Sequence, residues 1–202
     1  MQDQKFSSVK LAPPGARLGF WTELILRWFV NPVITKKISW EQCEQNFFKS
    51  HQKIIQVLES IPADKVDIRI LVPPQKGLED SSRYWSAKML VEHLLIVGTQ
   101  VQSAIIRLSR EEILKELVDT AAVKPSGNAS YQVLFEKLKQ FASEVPSDLN
   151  RNVHAKESKS KLVHPWFGPF NSKQWYWLLG THASIHLKQL EEIKKGLTLS
   201  TQ

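Results

Sequence analysis

Cysteine is almost absent from this chain: Cys43 is the only one in 202 residues. No internal disulfide can form and no thiol-rich metal site exists, which fits a reducing compartment. Glycine (8) and proline (10) are too few and too scattered for a fibrous or low-complexity chain. No internal repeat of a solenoid period occurs. A long apolar run is missing too. The most apolar stretch, residues 18–34, is broken by Glu23 and Arg27 and is too short to span a bilayer comfortably. The opening Met-Gln-Asp-Gln shows none of the charged and apolar regions of a signal peptide. These absences lead us to expect an unexported, cytoplasmic protein.

Several catalytic patterns are lacking as well. There is no G-x-x-x-x-G-K phosphate loop, no nucleophile-elbow serine and no pair of carboxylates placed for acid–base work. The metalloprotease H-E-x-x-H is excluded, because Ala183 follows His182 where that motif needs its glutamate.

What is present describes a globular chain: 42% hydrophobic and 23% charged, long enough to bury a full core. The net charge is +7. Residues 1–40 carry six basic against two acidic side chains, and residues 145–165 carry four against two. The excess therefore sits in an N-terminal extension and one loop. It lacks the aromatic interleaving of a strand-binding groove, so we read a solvated basic surface rather than a nucleic-acid partner.

Four segments have helical periodicity. The first covers 39–61: Ser39 and Gln42 make a capping box, and Trp40, Cys43, Phe47, His51, Ile54, Ile55 and Leu58 recur at three- and four-residue steps. The second covers 84–108, with Met89, His93, Ile96, Val97, Gln100 and Ala104 on one stripe. The third covers 130–144, with Val133, Leu134, Leu138 and Phe141 apolar, and Pro146 is expected to end it. The fourth covers 172–195, with Asn171 as N-cap, Gln174 completing the box and Gly196 as the stop. Residues 67–72 alternate like a strand, but Pro73-Pro74 follows and no partner strand is evident.

The expected fold is all-α, a four-helix bundle with long connections over roughly 61–83, 109–129 and 146–171. Connections of that length often form part of a site. The middle one is expected to hold a short helix, since Ser109 and Glu112 suggest a capping box before Ile113, Leu114 and Leu117. Residues 1–38 read as an extension and 39–198 as the bundle domain. Within the extension, Phe20–Val30 has an i, i+4, i+8 apolar stripe suited to a short amphipathic helix. Such a helix would pack on the bundle or on a second copy in a homodimer, in preference to a membrane surface.

Six histidines stand at 51, 93, 154, 164, 182 and 186. His182 and His186 are spaced i, i+4 on one face of the fourth helix, together with Trp175, Leu179 and Gln189. Two imidazoles so placed can converge on one ion. Six histidines would show some pair at that spacing by chance in roughly one chain in seven, so His93 matters: it sits on the apolar face of another helix, as ligands in bundles do. Two unrelated core histidines with ordinary hydrogen bonds explain the spacing as well, and the residues leave both readings open. His51 reads as a satisfied core residue. Cys43, on an apolar face, reads as a small hydrophobe. Glu92 points about 100° away from His93 around the helix and receives no role.

Two stretches carry a family resemblance. Residues 82–94 (SRYWSAKMLVEHL) resemble the W-S…H-L start of the second helix in DinB-like (YfiT-like) four-helix bundles. Residues 164–189 (HPWFGPFNSKQWYWLLGTHASIHLKQ) resemble that family's H-P-x-F-G, cap, tryptophan and H-x-x-x-H-L-x-Q ending. The likeness spans about 40–195. It implies a divalent metal held by His93 of the second helix with His182 and His186 of the last, and no ligand role for His51, His154 or His164. In that frame His164 orders the turn before the last helix.

Three neutral imidazoles would leave an ion its full charge and an open position, as catalytic sites do. Members of the resembled family include transferases and isomerases that use low-molecular-weight thiols. The expectation is therefore a metal-dependent enzyme acting on a small molecule, of thiol S-transferase type, with metal-dependent hydrolysis as a rival. A non-catalytic ligand-binding or stress-associated bundle is the reading from another class. Zinc, nickel and iron all suit three histidines. No catalytic acid or base is identifiable.

Overall fold

The computed structural model describes residues 10–13, 37–115, 119 and 121–199. Four helices make up most of it: α1 (Trp40–Glu59), α2 (Ala87–Ser109), α3 (Tyr131–Asn152) and α4 (Ser172–Leu199). They form a four-helix bundle, as their periodicity requires. The Phe20–Val30 stripe lies outside the described residues.

Local chemistry starts the helices. At α1 the Ser39 hydroxyl accepts the Gln42 amide N–H at 3.1 Å while the Gln42 side chain accepts the Ser39 N–H at 2.8 Å. Asn171 and Gln174 repeat the arrangement at α4, at 3.0 and 2.8 Å. At α2 the cap is Ser86, whose hydroxyl accepts the Met89 N–H, so this helix begins three residues later than the pattern suggested. Tyr84 and Trp85 belong instead to a strand.

Two helix ends differ from expectation, both for reasons of packing. α3 runs through Pro146 to Asn152. A mid-helix proline costs about 3 kcal/mol, but Val145 and Leu149 beyond the Phe141 turn are fully buried and hold the last two turns in place. α4 continues past Gly196 to Leu199. A Cβ at 196 would lie 2.5 Å from Ile70 Cγ2, so this glycine serves a close approach and not a stop.

Strands appear where few were expected. β1 (Ile70–Leu71) pairs antiparallel with β2 (Tyr84–Trp85), which is the partner residues 67–72 seemed to lack. β3 (Leu162–His164) pairs with β4 (Gly168–Phe170) in a hairpin. Each ladder spans only two or three residues, too few for a sequence pattern to register. The expected short helix after Ser109 is not there over the described residues to 115. Ser109 ends α2 with its hydroxyl donating to the Ile106 carbonyl, and Glu112 pairs with Arg107.

The helices pack in the ring α1–α4–α2–α3, leaving α1 opposite α2 and α3 opposite α4. Two apolar clusters fill it. One joins Trp40, Cys43 and Phe47 of α1 to Val101, Ile105 and Leu108 of α2, Phe141, Val145 and Leu149 of α3, and Trp175 and Leu179 of α4. The other joins Ile54 and Leu58 to Leu90 and Leu94, Leu134 and Leu138, and Ala183, Leu190 and Ile193. Chain order within the clusters sets direction: α1 and α4 run one way, α2 and α3 the other. The connection from α2 to α3 must therefore travel the length of the bundle. The stripe expected on α2 is rotated, with Leu90, Leu94, Val101, Ile105 and Leu108 deepest and Gln100 exposed. That helix is apolar nearly all round at Leu94–Val97, so periodicity alone does not choose its face. On α3, Val133 is likewise exposed.

α2 is also long and apolar enough to cross a membrane by length and composition, though half of that window is buried inside the bundle.

Candidate metal centre

His93 lies in the second turn of α2, and His182 and His186 lie one turn apart in the middle of α4. Because α2 and α4 are neighbours, all three rings meet. His182 Nε2 is 3.1 Å from His93 Nε2 and 3.1 Å from His186 Nε2. One ligand atom from each lies within 4.8 Å of the other two, and among the described residues no cysteine or carboxylate joins the group. His93 and His186 are buried and His182 keeps part of its surface open.

The hydrogen bonds behind the rings fix two tautomers. His93 Nδ1 is 2.8 Å from the Val123 carbonyl, which can only accept, so Nδ1 carries the proton. Gln189 donates its Nε2 to the Ser82 carbonyl at 2.7 Å, which turns its Oε1 toward His186 Nδ1 at 2.7 Å. That nitrogen must donate as well. Both Nε2 atoms therefore present bare lone pairs to His182 Nε2, which can supply one proton at most. That single proton can be aimed at only one of them, so at least one of the two lone pairs is left without a well-directed donor unless a cation lies between the rings.

The two contacts of His182 have a spacing that fits a cation. Metal–nitrogen bonds of about 2.0–2.1 Å place tetrahedral ligands about 3.3–3.4 Å apart and right-angle ligands about 2.8–3.0 Å apart. The observed 3.1 Å falls between. Backing of Nδ1 by a carbonyl oxygen, as at His93 and His186, is the usual second layer of a metal-bound imidazole.

Burial supplies the protonation state that ligation needs. Desolvation pulls His93 down to about 4, helped by Lys124 and opposed by the Val123 hydrogen bond. His182 and His186 lie well below their ordinary value, first through desolvation and then through neighbouring histidines. All three are neutral near pH 7.

An aromatic wall and a polar clamp close the site. Trp85 stacks nearly parallel on His186, 5.9 Å between centroids, and is tilted against His93 at 4.9 Å. Lys124 Nζ sits 5.4 Å from the centroid of the Trp85 ring and donates to Glu79, Ser81 and Ser82. Glu92 faces away from the histidines, as its helical position requires. It accepts from the Ser126 hydroxyl and the Gly127 N–H, both at 2.7 Å. Burial would raise its pKa, but these hydrogen bonds hold it below the usual value. Two surface concavities, on the outer face of α3 and between Ser60–Lys65 and Lys194–Thr198, are lined by no histidine.

The other histidines have ordinary employment. His51 is buried, donates Nδ1–H to the Phe47 carbonyl at 2.9 Å and packs on Phe47 and Phe141. His164 accepts the Trp166 and Phe167 N–H groups at Nδ1, at 3.1 and 3.4 Å, and so orders the β3–β4 turn. His154 is outside the cluster. Cys43 is fully buried and its thiol is pushed up to about 12 by desolvation, so it is no nucleophile.

Sequence reasoning missed the layer behind the ligands. Gln189 was visible as a stripe member three residues after His186. Val123, Ser82 and Lys124 lie on connections, and a backbone carbonyl carries no side-chain signal.

No protein-family model matches the chain, and no curated protein matches it. Two solved structures resemble it. An uncharacterised protein from Escherichia coli UTI89 shares 15% identity at a TM-score of 0.59, over 79% of this chain and 95% of that one. TT2238, a four-helix bundle protein, shares 18% identity at a TM-score of 0.48, over 76% of this chain and 98% of that one. At 15% identity the likeness to the Escherichia coli protein speaks to the fold alone.

Proposed function

We propose that this chain is a divalent-metal protein of the DinB-like kind whose ion is held by His93, His182 and His186. The observation that carries the reading is the convergence of three Nε2 atoms, two of them held as bare lone pairs by carbonyl oxygens behind the rings. Zinc, nickel or iron would suit three neutral imidazoles.

The chemistry we favour is thiol S-transfer to a small electrophile, with metal-dependent hydrolysis as the rival. A divalent ion there would supply Lewis acidity, stabilising a thiolate or acidifying water. The chain's own residues do the rest. His93 and His186 are held in the ligating tautomer, Trp85 shields the inner side from water, and partly exposed His182 marks the side from which a small molecule would enter. All three ligands are neutral, which favours an anionic partner such as a thiolate. We further take 39–198 as the functional domain, 1–38 as its extension and the cytoplasm as its place.

Elemental mass spectrometry of the purified protein tests the reading, alongside His93→Ala and His182→Ala. About one ion per chain in the parent and none in either variant supports it and calls for a thiol-transfer screen with common electrophiles. No ion, and no uptake of zinc, nickel or iron, overturns it and leaves a non-catalytic helical binding protein.

A further inference from the structure

We propose that Lys124 is a positioning residue of the metal centre, closing a ring of contacts that aims His93 and His186 from behind. The inference rests on the metal reading and assigns a residue that is not a ligand.

The ring can be followed atom by atom. His93 Nδ1–H donates to the Val123 carbonyl at 2.8 Å. The next residue, Lys124, donates through Nζ to the Ser82 hydroxyl at 2.7 Å, to the Ser81 hydroxyl at 2.9 Å and to the Glu79 carboxylate. The Ser82 carbonyl accepts from Gln189 Nε2 at 2.7 Å, and Gln189 Oε1 accepts from His186 Nδ1–H at 2.7 Å. Two connections that share no secondary structure thus supply the two acceptors, and Lys124 ties one connection to the other.

Each acceptor alone would be poorly placed. Val123 lies in a turn of the crossover between α2 and α3, and Ser82 ends a single 3₁₀ turn, Asp80–Ser82. Short irregular segments move easily unless they are tied down. The Nζ group uses its three protons on three oxygens of the opposite connection, a saturated arrangement for a half-buried ammonium. Glu79 offsets the lysine's charge, so the tie adds little repulsion toward a dication next door. Lys124 also lies over Trp85, whose ring stacks on His186, so the tie reaches the aromatic wall of the site as well. Glu92 secures the same crossover two residues further on, at Ser126 and Gly127, but reaches neither acceptor.

Outer-layer partners of metal-bound histidines typically account for 10–100-fold in affinity. The test is a competition titration of the metal-stripped full chain with Zn²⁺ against a chromophoric chelator. The proteins are the parent, Lys124→Met, Ser82→Ala, Gln189→Ala and the exposed control Lys137→Met. Lys124→Met should bind zinc at least tenfold more weakly, and Ser82→Ala more weakly by a smaller factor. Lys137→Met should match the parent. The loss should persist when the melting temperature of the metal-free Lys124→Met protein equals the parent's, which a merely structural role would not produce. Lys124→Met combined with Gln189→Ala should lose less than the product of the single losses, since both open one ring. Should Lys124→Met not fold, Ser82→Ala and Glu79→Gln carry the same expectation. Parent affinity in the folded ring variants, or strictly multiplicative losses, overturns the positioning role alone. A parent that takes up no zinc overturns the metal reading and this inference with it.

Discussion

His164 and His186 are both buried, both neutral and both surrounded by aromatic rings, yet the structure uses them in opposite ways. At His164 the backbone N–H groups of Trp166 and Phe167 point at Nδ1, so the ring's lone pair is spent on a turn. At His186 a carbonyl oxygen faces Nδ1, so the lone pair remains on Nε2 and meets the His182 imidazole. Burial does not distinguish a structural histidine from a ligand. Between these two the partner behind the ring does, provided other imidazoles are in reach: His51 has the same carbonyl backing at Nδ1 but lies outside the cluster.

Removing each kind of histidine breaks the comparison most sharply. His186→Ala should abolish stoichiometric metal uptake altogether. His164→Ala should keep one ion per chain while stability falls by about 1–3 kcal/mol, because two turn N–H groups lose their acceptor. Denaturant unfolding of both metal-free variants with parallel metal analysis checks the pair. Equal metal loss in both would remove the distinction.

Next in size is the partner itself. Gln189→Ala keeps all three ligands but frees His186 Nδ1, and should weaken zinc binding about 10–100-fold. Zinc titration reads this directly, and an unchanged affinity would show that the carbonyl behind the ring is idle.

Acid should act through the structural histidines in the metal-free protein. His51 and His164 are pulled down to about 4 by desolvation, from 6.5. Between those values the unfolded chain binds more protons than the folded one. Stability therefore holds above pH 6.5 and declines as pH falls toward 4, by up to about 1.4 kcal/mol per pH unit for each such histidine. His51→Leu should leave metal uptake intact and make that decline shallower. A pH series of urea midpoints checks both statements.

Smallest of all is the effect expected at Cys43. With its thiol pushed up to about 12 and no exposed surface, it should resist alkylation in the folded protein and react on unfolding. Rapid labelling under native conditions would contradict the burial.

Much of this was legible in the residues, though unevenly. The caps of α1 and α4 were, because Ser39–Gln42 and Asn171–Gln174 act within one turn and need no tertiary partner. Pro146 and Gly196 were misread, since their local tendencies are overruled by contacts distant in sequence: the buried Val145 and Leu149, and Ile70 against the α4 backbone. The strand ladders were missed because each is two or three residues long. In the site, the three histidines could be proposed from helical spacing and a family resemblance. Their arrangement around one point depends on which faces of α2 and α4 meet, and α2 is too uniformly apolar to say. The oxygens of Val123 and Ser82 had no signal at all, because any residue supplies a carbonyl and only the fold decides where it points.

The central claim is that His93, His182 and His186 bind one ion through Nε2. X-ray absorption at the zinc edge of the loaded protein tests it most directly. The account predicts three imidazole nitrogens at about 2.0–2.1 Å and no sulfur, with the imidazole count falling in His182→Ala. A sulfur ligand, fewer than three imidazoles, or a spectrum unchanged by His182→Ala would contradict it.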